Sequence, residues 1–166
     1  MSLTQEYYNL DNEWSFANSH NFGGVKKIWD DDTTTSFKTG EAAYPWVQIN
    51  MRRIYLVTKV AILSGEEHLM NLEVRVGIYS MNYLEMRGER GNKRITGNEK
   101  CGMMFYGPTL VTDQWVEVDC GLSRVLKGKV LTLQLTERYR GNTALEIASI
   151  EVFGWGRTCG SEDPTI

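Results

Sequence analysis

Histidine and proline are scarce in this chain, with two His and three Pro in 166 residues. The shortage of imidazole leaves no Ser-His-Asp or Cys-His arrangement to argue, so nucleophilic catalysis is not expected. Glu66 and Glu67 are adjacent, which on a strand points them to opposite faces and makes them a poor acid–base couple. The expectation is a non-enzyme. Cysteine is also sparse and odd in number, at Cys101, Cys120 and Cys159. Without a CxxC pair a structural zinc site has no starting point, and the simplest arithmetic is one disulfide plus a leftover thiol. No apolar run approaches the roughly 20 residues that cross a bilayer. Charge of one sign is lacking too: 18 Lys and Arg against 21 Asp and Glu leave a net −3. A general nucleic-acid binder needs a basic face to release phosphate counterions, so nucleic acid is excluded as a partner. The opening MSLTQEYYNL has neither the basic nor the apolar region of a signal peptide, which leaves secretion undecided.

What is present describes a folded domain. Apolar residues make up 42% of the chain, with five Trp, eight Tyr and five Phe as anchors. The length fits one core rather than two. The apolar period is mostly two. Val47-Gln48-Ile49-Asn50-Met51, Leu72-Glu73-Val74-Arg75-Val76, Val116-Glu117-Val118-Asp119-Cys120 and residues 130–136 alternate, and 147–153 closes the series. Alternation of this kind means strands with one buried and one wet face. Residues 55–63 are nearly all apolar, as a strand in the middle of a sandwich would be. Turn signals at Gly65, Gly77, Gly107-Pro108, Gly121, Lys127-Gly128 and Gly141-Asn142 separate these runs. The best helix candidate is only a short turn at 24–28. The pattern predicts an all-β antiparallel sandwich or barrel.

Two long irregular segments interrupt it, 9–45 and 78–100; loops of such length are either functional or mobile. In the second, Arg87, Arg90, Lys93 and Arg94 follow Met81, Tyr83, Leu84 and Met86. That order fits a charged hairpin, a docking surface for a protein or anionic glycan, or apolar spikes with a basic rim against anionic phospholipid. Trp46 reads as core. Trp155 reads as a plug over the sandwich end, and Trp14 and Trp29 as core or rim.

The order of segments resembles the discoidin, or coagulation factor 5/8 type C, domains. Trp29-Asp30-Asp31-Asp32-Thr33-Thr34-Thr35-Ser36-Phe37 is similar to their I-D-G-D-T-S-T-x-W turn. Tyr44-Pro45-Trp46-Val47-Gln48-Ile49-Asn50 is similar to P-W-W-Q-V-D-L, Leu72-Glu73-Val74-Arg75-Val76-Gly77 to V-E-V-R-V-G, and Ile150-Glu151-Val152-Phe153-Gly154 to V-E-V-Y-G. Within that superfamily the chain most resembles the F-type lectins, or fucolectins, which pair cysteines in the relation that Cys101 and Cys120 hold here. The resemblance implies an all-β, galactose-binding-like jelly-roll sandwich of discoidin type over 12–156. Residues 1–11 would be an N-terminal extension and 157–166 a tail. It also implies an extracellular setting, a Cys101–Cys120 disulfide, and ligands held by loops at one end; Cys159 would be left for a neighbouring domain.

F-type lectins bind L-fucose through one His and two Arg, the Arg pair in an R-x-D-x-x-x-x-R loop, with an aromatic face over the C6 methyl. Here Lys38 stands at the His position. The loop shortens to Ser64-Gly65-Glu66-Glu67-His68, without Arg, and His68 falls where the second Arg would be. Lys38, His68 and His20 are the candidate sugar donors. Glu66 and Glu67 turn the sign of the pocket, or else form an exposed acidic loop. A further lectin cysteine pair is replaced at both ends, by Ser36 and Ala148. The lectins' structural Ca²⁺ would fall to Asp30, Asp32 and the Thr35 carbonyl, with Ser149 where the late Glu would be. The alternative is a solvated Asx turn without metal. The expected partners are a glycan or glycoprotein, or a protein in an adhesion module, with membrane contact only in the phospholipid case.

Overall fold

The computed structural model describes residues 15–17, 27–28, 32–41, 44–79, 96–121, 125–136 and 144–156. The strands are β1 (Ser15–Ala17), β2 (Phe37–Lys38), β3 (Trp46–Ser64), β4 (Leu72–Gly77), β5 (Glu99–Lys100), β6 (Trp115–Asp119), β7 (Leu126–Leu135) and β8 (Glu146–Gly156). Among the described residues every ladder between these strands is antiparallel. The two runs expected at 47–51 and 55–63 join into the single 19-residue β3. Inside the irregular 9–45 stretch the chain forms β1, β2 and a short helical turn at Lys27 and Ile28.

β3 organises the molecule because its two halves serve different layers. Residues 46–50 pair with β1 and β7, and β7 passes the ladder on to β4 and β5. Residues 59–63 pair with β6 on one side and β8 on the other, and β8 holds β2 at its far edge. The β3–β7 register shifts between Asn50 and Tyr55, so the sheet curls there into a sandwich. Between the layers lie Val47, Ile49, Val57, Val60 and Ile62 of β3 with Leu72, Val74, Leu131, Leu133 and Ile147. Each such side chain contributes roughly 1.5–3 kcal/mol on burial.

One feature departs from simple alternation. On the opposite face of the β7 layer, Gln48, Glu73, Thr132 and Gln134 are buried, although the sequence marks that face as wet. Gln48 Nε2 donates to Thr132 Oγ1 at 3.0 Å across the β3–β7 pair, which removes much of the desolvation cost. Trp46 is buried as expected.

The Cys101–Cys120 disulfide is present. Cys101 N donates to Val74 O at 2.8 Å and Cys120 N to Thr58 O at 2.9 Å, so the bridge ties the β4 layer to the β3–β6 layer. Gly102 has φ +58° and its α-carbon faces the Asp119 carbonyl so closely that a Cβ would lie 1.9 Å from that oxygen. Only glycine fits there. Among the described residues no helix is long and apolar enough to cross a membrane.

Candidate functional site

The site forms at one end of the sandwich, where three segments meet: the arm 32–38, the loop 64–68 and the segment 102–115. β2 is short, but its placement is strict. Phe37 pairs with Ile147 and turns into the core, so Lys38 pairs with Glu146 on the outer face. Thr39 then extends the ladder, its N–H donating to Leu145 O at 2.9 Å while its hydroxyl accepts from Leu145 N at 3.0 Å.

Glu146 is the carboxylate on which the end of the domain closes. It is buried. Ser36 Oγ donates to Oε1 at 2.5 Å, and the Glu67 backbone N–H donates to Oε2 at 3.0 Å. One side chain thus joins the arm to the 64–68 loop. Gly65 makes this possible: a Cβ there would lie 2.6 Å from Glu146 Cγ and Cδ. Above Glu146, Lys38 Nζ donates to Glu67 Oε1 at 2.6 Å, both side chains being 48% exposed. The hydrogen bond to Glu67 raises the Lys38 pKa above the ordinary lysine value, so its ammonium persists through the neutral range.

The far side of the loop is anchored separately. His68 is exposed, and its Nδ1 lies 3.3 Å from Thr109 Oγ1, which also accepts from Leu69 N at 3.0 Å. Thr109 N donates back to Leu69 O at 3.0 Å. Gln114 fixes the other flank: its N–H donates to Ser64 Oγ and its Oε1 accepts from Leu110 N.

Between these segments lies a pocket of about 570 Å³. Among the described residues it is lined by Thr33, Thr34, Thr35 and Ser36 of the arm, by Leu63, Gly65 and Glu66, by Asp113 and Trp115, and by Ala148. Ser36 and Ala148, the residues standing where the lectins carry a second cysteine pair, therefore both line it. Glu66 and Glu67 lie in the bend after β3 and are used differently: Glu67 turns to Lys38, while Glu66 lines the pocket.

The structure thus brings Lys38, Glu66, Glu67 and His68 to one end. His20 and Asp30 lie outside the described residues, as do 80–95 with their cationic loop, the 1–11 extension and Cys159. Glu146, Thr109, Asp113 and Trp115 were not singled out in the sequence. A signal existed for Trp115 alone, since it falls on the wet phase of the β6 alternation and is 43% exposed.

Of the aspartate turn at 30–35, residues 32–35 are described. Asp32 Oδ1 accepts from Thr34 N at 2.9 Å and from Thr34 Oγ1 at 2.5 Å, and these bonds hold its pKa below the usual carboxylate value. Thr35 donates back to the Asp32 carbonyl through both its N–H and its hydroxyl. This is an Asx turn that satisfies itself. Among the described residues no three His, Cys, Asp or Glu gather as a metal site. Of the expected Ca²⁺ ligands, Asp32, Thr35 and Ser149 lie among the described residues and Asp30 does not.

Neither a protein-family model nor a curated protein sequence matches this chain. Solved structures do. A fucolectin from striped bass (Morone saxatilis) serum is 16% identical with a TM-score of 0.62; the match covers 89% of this chain and 47% of that one, so the chain spans about half of it. Chitosan-binding module 1 from the chitosanase/glucanase of Paenibacillus sp. IK-5 is 16% identical with a TM-score of 0.63, covering 86% and 96%. A fucose-binding module of Streptococcus pneumoniae is 16% identical with a TM-score of 0.59, covering 93% and 99%. The fold is the galactose-binding-like sandwich shared by F-type lectins and such carbohydrate-binding modules.

Proposed function

We propose that this chain is a non-catalytic, extracellular glycan-binding domain whose site is the end of the sandwich framed by 33–38, 64–68 and 109–115. The observation that carries the reading is the pocket itself. Hydroxyls, carboxylates and one exposed indole converge on a concave surface held by hydrogen bonds from three segments. Sugar sites need that combination, polar groups for the hydroxyls and an apolar ring face for the C–H side. Proteins of the same fold bind fucose, galactose and chitosan, which supports the reading. The buried disulfide fits an oxidising compartment.

The fucose triad is degenerate. Lys38 is engaged by Glu67, His68 leans on Thr109, and no Arg stands in the loop. Fucose read through three basic donors is therefore not the expected specificity, and binding is expected to survive EDTA. An array of glycans probed with the chain clustered on beads tests this, because single sugar sites are weak and clustering raises avidity. A defined set of saccharides is expected to bind with and without EDTA. Trp115→Ala should weaken the hits at least about tenfold, roughly 1.4 kcal/mol of lost stacking, and His68→Ala by less.

A second reading, a protein-interaction module, has its own observation. Met103, Tyr106, Leu110 and Val111 are 76%, 58%, 85% and 60% exposed on the segment that flanks the site. A blank array in both buffers would overturn the glycan reading and favour this one.

A further inference from the structure

We propose that the pocket takes a saccharide with a free, protonated amino group, its ammonium held by the Glu66 and Asp113 carboxylates and its ring against Trp115. This rests on the glycan reading above and names the sugar class.

The charge around the pocket is one-sided. Among the described residues its charged lining is Glu66 and Asp113, with no Lys, Arg or His. The cation at its edge, Lys38, is committed to Glu67 at 2.6 Å, and Glu41 and Glu146 act on the same ammonium. Lys38 therefore brings no net positive charge to the pocket. Two carboxylates on one concavity repel each other and attract a cation, more strongly as a ligand displaces water between them. The Trp115 indole adds to this selection, because a π face favours an ammonium or the polarised C–H groups beside one. The Thr34, Thr35 and Ser36 hydroxyls among the lining residues already donate to Asp32 and Glu146, so they offer a sugar their acceptor lone pairs, which suits neutral sugar hydroxyls and adds no charge. Sulfated or carboxylated saccharides meet repulsion at the same carboxylates. An N-acetylated sugar presents a neutral amide where the carboxylates call for a cation, and leaves them desolvated and unpaired.

Isothermal titration of the full chain compares the β-1,4-linked glucosamine hexamer with its fully N-acetylated counterpart, with polylysine of matched charge as competitor. The glucosamine hexamer should bind at least tenfold tighter than the acetylated one. The Glu66→Gln/Asp113→Asn double variant should reduce it to the acetylated level with an unchanged Tm, since Asn accepts the φ of +55° that Asp113 adopts. Three results would each overturn the proposal: equal affinity for the two hexamers, a preference that persists in the double variant, or displacement by polylysine as effective as by the hexamer itself. If neither hexamer binds while neutral glycans still do in a Trp115-dependent way, the amino-sugar inference falls and the glycan reading stands. If no saccharide binds, both fall.

Discussion

Replacing Glu146 with alanine is expected to cost the domain about 3 kcal/mol and to free the 64–68 loop. The residue is 5% exposed and accepts the Ser36 hydroxyl and the Glu67 amide. Truncation leaves both donors without their acceptor beneath a loop, at about 1–3 kcal/mol for a buried unsatisfied polar group. It also removes the carboxylate beneath the Lys38–Glu67 pair. Glu146→Gln keeps one carbonyl acceptor and should cost less than half as much. Gly65→Ala attacks the same joint from the other side, since its new Cβ would occupy the space of the Glu146 side chain. Urea denaturation measures the loss, and amide exchange at Glu67 reports the joint itself: protection should fall in all three variants. A Glu146→Ala protein within 0.5 kcal/mol of wild type, with Glu67 still protected, would show that the loop is held by other contacts.

The second large effect is expected from the disulfide. Cys101 and Cys120 are 19 residues apart, both buried, and each is fastened by its amide to a different layer. Opening a loop of that size releases about 3 kcal/mol of denatured-state entropy. For a domain of this length that corresponds to a fall in Tm of roughly 10 °C. The Cys101→Ala/Cys120→Ala double variant avoids leaving a lone buried thiol, and differential scanning calorimetry reads the change. A fall of less than 2 °C would mean that the two layers hold together without the bridge.

These two results concern features of different visibility. The strand series could be read directly, because alternation at 72–76 and 116–120 reports a physical period that no helix shares. The disulfide followed from the resemblance, since spacing alone leaves the pairing of three cysteines open. Lys38 and the 64–68 loop were placed at one end for the same reason, and the structure brings them to a 2.6 Å contact. Glu146 was illegible. At the head of an apolar strand a glutamate looks like a solvated terminus, and only the loop folding over it makes it buried and shared. The buried Gln48, Thr132 and Gln134 were misread as wet for a related reason. Alternation marks two faces but does not say whether the second is also covered. Asp113 and Thr109 sit in an irregular segment whose partners lie 40 to 50 residues away in sequence, Thr109 bonding Leu69 and Gln114 bonding Ser64, and local pattern carries no information about such contacts.

The central claim is that saccharide is held at this end of the sandwich. The most direct test is a ¹H–¹⁵N correlation titration of the full chain with the best array hit. The account predicts progressive shifts confined to 33–38, 63–68 and 109–115, with the Trp115 indole N–H among the largest. A saccharide that binds and shifts residues of 78–100 or the β4–β5 edge while those three segments stay unmoved would contradict it.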